Sequence, residues 1–342
     1  MNKSTSILII YTGGTIGMIH EPLSGTLVPF DFSHISEQVP ELQRFDLRLE
    51  TVTFNPVIDS SDVSPDEWKK LAGTIAERYD EFDGFVVLHG TDTMAYSASA
   101  LSFMLNNLEK PVIFTGAQLP IGMLRTDGRE NLITAIEIAA ARENGISLVP
   151  EVCIYFENRL LRGNRTTKQS AEHFNAFVSP NLQPLAEAGL QIKYNRNIIR
   201  YPTVRRPLAL TTQFDTGVAI LKLFPGLGHE VVRSLLNSHG LHGLVLETYG
   251  TGNGPTHDWF FQELQRFIGG GGIVMNVTQC QAGQVEMGLY ETSEGLRSSG
   301  VISGKDITTE AAITKMMVVL GGGHSREKSE KMLTGSLCGE IS

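Results

Sequence analysis

Cysteine is scarce in this chain. Among 342 residues there are three, Cys153, Cys280 and Cys338, widely spaced and odd in number. No C-x-x-C pair occurs, so neither a disulfide framework nor a zinc site is favoured, and the sequence calls for no metal and no cofactor. Buried free thiols in a reducing compartment fit this usage. Basic residues are also in the minority, 28 against 37 acidic, for a net charge of −9. That argues against a nucleic-acid partner, which would need a basic stripe, although an acidic small ligand needs only local positive charge. Long apolar runs are missing as well. No stretch approaches the ~18 residues of a membrane span. The first apolar run, Ile7–Ile10, meets Gly13 and Gly14 too soon for a signal-peptide core of about 7–15 residues. The expected location is the cytoplasm.

What the chain does have is alternation. Its length favours two domains at about 100–200 residues each. Short branched runs, Ile7–Tyr11, Phe85–Leu88, Val112–Thr115 and Val152–Phe156, read as buried parallel strands. Between them lie helical patterns. One opens at Asp66 and Glu67 behind a Ser64 cap and Pro65 and runs through Arg78. Others cover Met94–Leu105 and Asn131–Arg142. The stretch Glu21–Asp31 has Gly and Pro without helical period and reads as a long loop, a candidate lid. From Tyr194 to Asp215 Arg and Pro accumulate with no core period. Alternation then resumes: strands Val218–Leu223, Leu244–Thr248 and Ile273–Val277, and helices Glu230–Ser238, Asp258–Ile268 and Thr309–Leu320. Gly269–Gly272 reads as a helix terminus and turn. The expected fold is α/β in two α/β domains. A larger N-terminal domain (1–195) has a mostly parallel sheet flanked by helices. A connection (196–215) leads to a smaller C-terminal parallel-sheet domain (216–342).

Two threonine segments follow the first two strands directly: Tyr11-Thr-Gly-Gly-Thr-Ile-Gly17 and His89-Gly-Thr-Asp-Thr-Met-Ala-Tyr96. Open sheets of this class bind ligands at the carboxyl ends of their strands, so both hydroxyl-bearing segments should meet in one crevice. Gly13 and Gly14 permit a sharp turn, and Thr15 then presents a hydroxyl. The spacing fits neither dinucleotide nor phosphate loops. Read alone, the first segment is equally a structural turn, and Asp92 is more simply a cap for the next helix. His89 reads as a packed or hydrogen-bonded scaffold residue rather than a base. Arg162-Gly-Asn-Arg-Thr-Thr-Lys168 follows another strand end, so Lys168 could reach the same crevice. Asp59-Ser60-Ser61-Asp62 reads as a turn that adds hydroxyls and carboxylates.

Taken together, the two threonine signatures, Asp59–Asp62, Pro111-Val-Ile-Phe-Thr-Gly116, Arg162–Lys168 and Asn276-Val-Thr-Gln-Cys280 resemble the bacterial-type L-asparaginases, closest to the cytoplasmic type I branch. The resemblance covers nearly the whole chain in order. It implies hydrolysis of L-asparagine to L-aspartate and ammonia through a threonine nucleophile and a β-aspartyl acyl-enzyme, with minor glutaminase activity. Thr15 matches the nucleophile. Thr91, Asp92 and Lys168 match the second threonine with its acidic and basic partners. Asp59, Ser60, Ser61, Thr91 and Asp92 match substrate-holding positions. Asn253 resembles a residue offered by a neighbouring subunit, which implies a homodimer or homotetramer with the site near an interface. Backbone N–H groups around Gly90–Asp92 are candidate oxyanion donors.

The chain departs from the family pattern twice. The lid often carries a tyrosine near the nucleophile, whereas Ser24-Gly-Thr-Leu-Val-Pro29 has none, so Thr26 could take part of that role. Type I relatives can also hold an effector asparagine through an arginine at a strand end, near a position matched by Cys280. Here the aligned residue is Glu247, whose carboxylate would repel the effector's, so this control is expected to be lost. Two other functions remain at this point: the amidase subunit of a tRNA-dependent amidotransferase, and a non-catalytic amino-acid-binding module. Pure binding, however, does not need two threonines and a lysine at separate strand ends.

Overall fold

The computed structural model describes residues 4–20, 27–29, 39–288 and 291–342. Its internal contacts divide the chain into Met1–Leu210 and Thr211–Ser342. The first unit is built on an eight-stranded sheet of β1 (Thr5–Tyr11), β2 (Leu47–Thr53), β3 (Gly84–Leu88), β4 (Val112–Thr115), β5 (Val152–Phe156), β6 (Arg159–Arg162), β7 (Ala186–Ala188) and β8 (Ile192–Tyr194). Their spatial order is β8-β7-β6-β5-β4-β3-β1-β2. The five strands β2-β1-β3-β4-β5 are parallel, and β6, β7 and β8 add on antiparallel. Ile7 to Ile10 and Phe85 to Leu88 are fully buried, as strands covered on both faces must be. The chain leaves β1 for β2 on one side and returns to β3 on the other. That reversal opens a crevice at the carboxyl ends of β1 and β3, where the two threonine segments begin.

Among the described residues, three helices flank this sheet: α1 (Pro65–Glu77), α2 (Met94–Met104) and α3 (Gly128–Ala140). Ser64 caps α1. Its hydroxyl accepts the Asp66 N–H at 3.3 Å, while Glu67 Oε2 accepts the Ser64 N–H at 2.9 Å. A reciprocal cap of this kind is worth about 1 kcal/mol, and here it fixes the chain's exit from the Asp59–Asp62 turn. The helix expected over Asn131–Arg142 starts earlier and stops at Ala140. Arg142–Glu143 instead pairs with Ile146–Ser147. Asn144 and Gly145 both take positive φ, the conformation that closes a two-residue hairpin, and this turn chemistry overrides the helical period.

The second unit has a four-stranded parallel sheet, β9 (Val218–Lys222), β10 (Gly243–Thr248), β11 (Ile273–Thr278) and β12 (Ile302–Ser303), in that order. With it come α4 (His229–Leu236), α5 (Asp258–Gly269), α6 (Glu291–Ser298), α7 (Thr309–Gly321) and α8 (Arg326–Thr334). Its core gathers Leu244, Leu246, Phe260, Leu264 and Val274. No described helix is long and apolar enough to cross a membrane. Of the expected Glu21–Asp31 loop, Leu27–Pro29 pairs antiparallel with Met18–His20. The rest of it, Thr26 included, lies outside the described residues.

Candidate active site

Three loops are knitted together at the β1/β3 crevice. The Thr12 N–H and hydroxyl both donate to Leu88 O at 3.0 Å, and Ile58 N–H donates to Thr12 O at 2.8 Å. Gly13 and Gly14 have φ of +141° and +93°, and the close packing excludes any side chain there. A Cβ on Gly13 would lie 2.0 Å from Ile58 O, and one on Gly14 would lie 2.5 Å from the Gly90 Cα. Glycine is required by both conformation and space. The first loop therefore presses on the second directly before Thr15, a partly buried residue that opens a short 3-10 turn. The third loop joins through Thr93, whose hydroxyl donates to Ser60 O at 2.6 Å.

Asp59 caps the turn Ser60–Asp62. Its Oδ1 accepts the Ser61 N–H at 2.9 Å and the Ser61 hydroxyl at 2.8 Å. These two bonds, the backbone one first, hold its carboxyl below the ordinary range. Asp59 is exposed and remains anionic, suited to an ammonium group. Ser61's hydroxyl is turned to Asp59, whereas Ser60 is buried against Gly90.

Lys168 joins Thr91 and Asp92. Its Nζ donates to Thr91 Oγ1 at 2.9 Å and to Asp92 Oδ1 at 2.6 Å. The route it takes differs from the sequence reading. Lys168 does not follow the carboxyl end of a parallel strand. The strand before it, β6, runs antiparallel to β5, and Arg162 stands opposite Cys153, near the amino ends of the parallel strands. The chain then returns along α2. A Cβ on Gly163 would come within 3.0 Å of the Ala98 side chain, and Ser99 donates to Gly163 O at 3.5 Å. A two-residue pairing, Lys168↔Phe177 and Thr167↔Val178, ends this return at the crevice.

One neighbour escaped the sequence reading. Gln118, just past β4, places Oε1 3.5 Å from Thr91 Oγ1 while its Nε2 donates to His173 O at 3.1 Å. Its one signal was its place after a third strand end. His89 is the packed, hydrogen-bonded residue that the sequence suggests. Its ring is buried, and burial pushes its pKa from 6.5 down to about 4, against the opposing hydrogen bond with Gly90. The folded state thus holds neutral histidine, while the unfolded chain takes a proton near pH 6.5. Stability from this group is complete above about pH 6.5 and is lost as pH falls through about 4. At roughly 1.4 kcal/mol per unit the loss is about 3 kcal/mol. Urea unfolding between pH 7 and 4 should show wild type losing that much more than His89→Asn. Parallel stability curves for the two proteins would rule this account out.

The remaining expected residues lie in the second unit. Asn253 closes a tight loop, exchanging backbone hydrogen bonds with Tyr249 at 2.8 and 2.9 Å. Glu247, on β10, accepts the Thr309 hydroxyl at 2.5 Å and stands 3.5 Å from Lys222 Nζ. Cys280 is exposed.

Comparison with known proteins agrees with this architecture. A family model described as "Asparaginase, N-terminal" matches residues 6–200, and one described as "Glutaminase/Asparaginase C-terminal domain" matches residues 217–333. The chain is 42% identical to L-asparaginase 1 of Escherichia coli, covering 99% of this chain and 98% of that protein. It is 41% identical to the 60 kDa lysophospholipase of Mus musculus, covering all of this chain and 63% of that longer protein. The crystal structure of L-asparaginase I from Vibrio cholerae superposes with a TM-score of 0.89 at 40% identity, over 99% of this chain and 100% of that one. With both family models matched in order and full-length relatives well above 30% identity, the chain belongs to the asparaginase family.

Proposed function

We propose that the protein hydrolyses L-asparagine to L-aspartate and ammonia. The observation that carries this reading is the Lys168 ammonium held against both Thr91 Oγ1 and Asp92 in the crevice beside the Thr15 turn. Asp59 and Asp92 offer carboxylates for the substrate's α-ammonium group. Ser60 and Ser61, with the nearby backbone, supply polar contacts for its α-carboxylate. The Thr15 oxygen attacks the side-chain amide carbon, and its proton passes to the Thr91–Lys168 pair. The C–N bond breaks, and ammonia leaves with that proton. Water then opens the β-aspartyl ester, returning the proton to Thr15 and releasing aspartate. Lys168 accepts that proton as the neutral amine, after releasing one of its own protons to solvent, and Thr91 is the conduit between it and Thr15.

Selectivity against glutamine turns on one methylene, worth about 1–3 kcal/mol, so a minor glutaminase rate accompanies the main activity. The reading includes a cytoplasmic homodimer or homotetramer in which Asn253 of one copy completes another copy's site. Steady-state ammonia release with L-asparagine, D-asparagine and L-glutamine tests the activity. Tight binding of L-asparagine with no ammonia would leave only an amino-acid-binding module.

The same assay addresses regulation. Glu247 is engaged by Thr309 and Lys222 and brings negative charge where an effector carboxylate would have to sit. The rate is therefore expected to follow a hyperbola in L-asparagine with a Hill coefficient near 1. A sigmoidal curve that becomes hyperbolic in Glu247→Gln would overturn this.

A further inference from the structure

We infer that Trp68, Ser97 and His89 form a one-way hydrogen-bond chain that positions the Gly90–Thr91 peptide for the reaction. The inference rests on the asparagine-hydrolysis reading and adds positioning residues to it.

The chain can be read atom by atom. His89 Nδ1 is 2.7 Å from Gly90 O. A carbonyl oxygen only accepts, so Nδ1 carries the proton. In a neutral ring Nε2 is then a bare acceptor. Ser97 Oγ lies 3.0 Å from Nε2, so the serine hydroxyl donates to it. The serine oxygen in turn accepts the indole N–H of Trp68 at 2.9 Å, and an indole N–H only donates. Every link has a single permitted sense: Trp68 to Ser97, Ser97 to His89, His89 to Gly90 O. Ser97 is fully buried, and His89 and Trp68 are nearly so. Water does not compete for these groups, and a reversed link would leave a buried polar atom without its partner.

The end of the chain is what matters for chemistry. Gly90 O and the Thr91 N–H belong to one peptide, and it is trans. A trans amide points its N–H opposite to its C=O. Holding the carbonyl from the core side through His89 therefore aims the Thr91 N–H outward, into the crevice where an oxyanion would form. The far end of the chain is on α1, the helix entered from the Asp59–Asp62 turn. One set of bonds thus ties the substrate-holding loop to the loop that carries Thr91.

A residue that merely fills the core would not care which ring nitrogen is copied, and this separates the two roles. Asparagine can place its amide N–H where Nδ1 stood, keeping the bond to Gly90 O. Glutamine reaches the Nε2 position and loses that bond. His89→Asn is expected to lower kcat about tenfold and His89→Gln about 100-fold, with KM within about threefold in both. Equal kcat values, or the glutamine variant being faster, would overturn the inference. Should neither variant fold, Ser97 decides. Ser97→Ala should lose about tenfold in kcat at constant KM, and Ser97→Thr, which keeps the hydroxyl, should recover most of it. Wild-type kcat in Ser97→Ala counts against the chain. A ¹⁵N spectrum of the wild-type imidazole should show Nδ1 protonated and Nε2 bare at neutral pH. The opposite tautomer rejects the chain even if the wild-type protein releases no ammonia, an outcome that would by itself reject the hydrolase reading.

Discussion

Alanine in place of Thr15 is expected to cut ammonia release from L-asparagine by at least about 10³-fold, because a covalent route has no substitute for its nucleophile. The loss should not come from unfolding. Thr15 is partly buried at the start of a 3-10 turn, outside the sheet. The turn's shape is set by Gly13 and Gly14 and by the Thr12 bonds to Leu88 O, none of which the substitution touches. A stability change under about 1 kcal/mol is expected, readable as an almost unmoved melting temperature. The wild-type enzyme quenched in acid during turnover should carry an aspartyl adduct on the peptide containing Thr15, absent from the variant. An adduct found on Thr91 would transfer the nucleophile role to the second segment. Unchanged turnover in Thr15→Ala would remove covalent catalysis by Thr15 altogether.

The strands of the larger sheet that were readable in the sequence share one property: burial on both faces. Ile7–Tyr11, Val112–Thr115 and Val152–Phe156 are continuous apolar runs because parallel strands in mid-sheet meet no solvent. The strand β2 was missed for the complementary reason. Its sequence, Leu47-Arg-Leu-Glu-Thr-Val-Thr53, carries charge, and the strand lies at the sheet edge, half-exposed. Helix α8 offers only Ser329 and Leu333 to the interior, too little for a helical apolar stripe to register. Antiparallel β6 was invisible in Arg159-Leu-Leu-Arg162, four residues whose direction no local pattern encodes. That omission carried into the site. Lys168 was rightly suspected of nearness to Thr91, but by a route that does not exist. Both threonine segments were legible because each adjoins glycines and a strand end, and the Asp59–Ser61 turn because Asp and Ser cluster there. The Trp68–Ser97 bond was not, since it joins residues 29 apart on two helices, and only packing brings them together.

Lys168→Met is expected to lower kcat by at least about 10²-fold while KM moves by a few fold at most. The magnitude follows from what proton transfer by a positioned side chain contributes, about 10²–10⁴. The direction follows from where the ammonium sits, between Thr91 Oγ1 and Asp92 Oδ1. Stability should hardly change, and the burial of the pair decides this. The Asp92 side chain is 67% exposed and that of Lys168 17%, so the ion pair is screened and is worth under about 1 kcal/mol. Removing the lysine leaves Asp92 in water, whereas cutting Arg162 from Glu151, both 7% exposed, would strand a buried charge at about 3–5 kcal/mol. A fall in activity in Lys168→Met with an intact melting curve therefore reports on chemistry. Methionine keeps the length of the stem and most of its packing, so the lost element is the charged, proton-carrying nitrogen. If instead KM rises about 10²-fold at unchanged kcat, Lys168 binds substrate without moving protons, and the base for Thr15 must be sought elsewhere in the crevice.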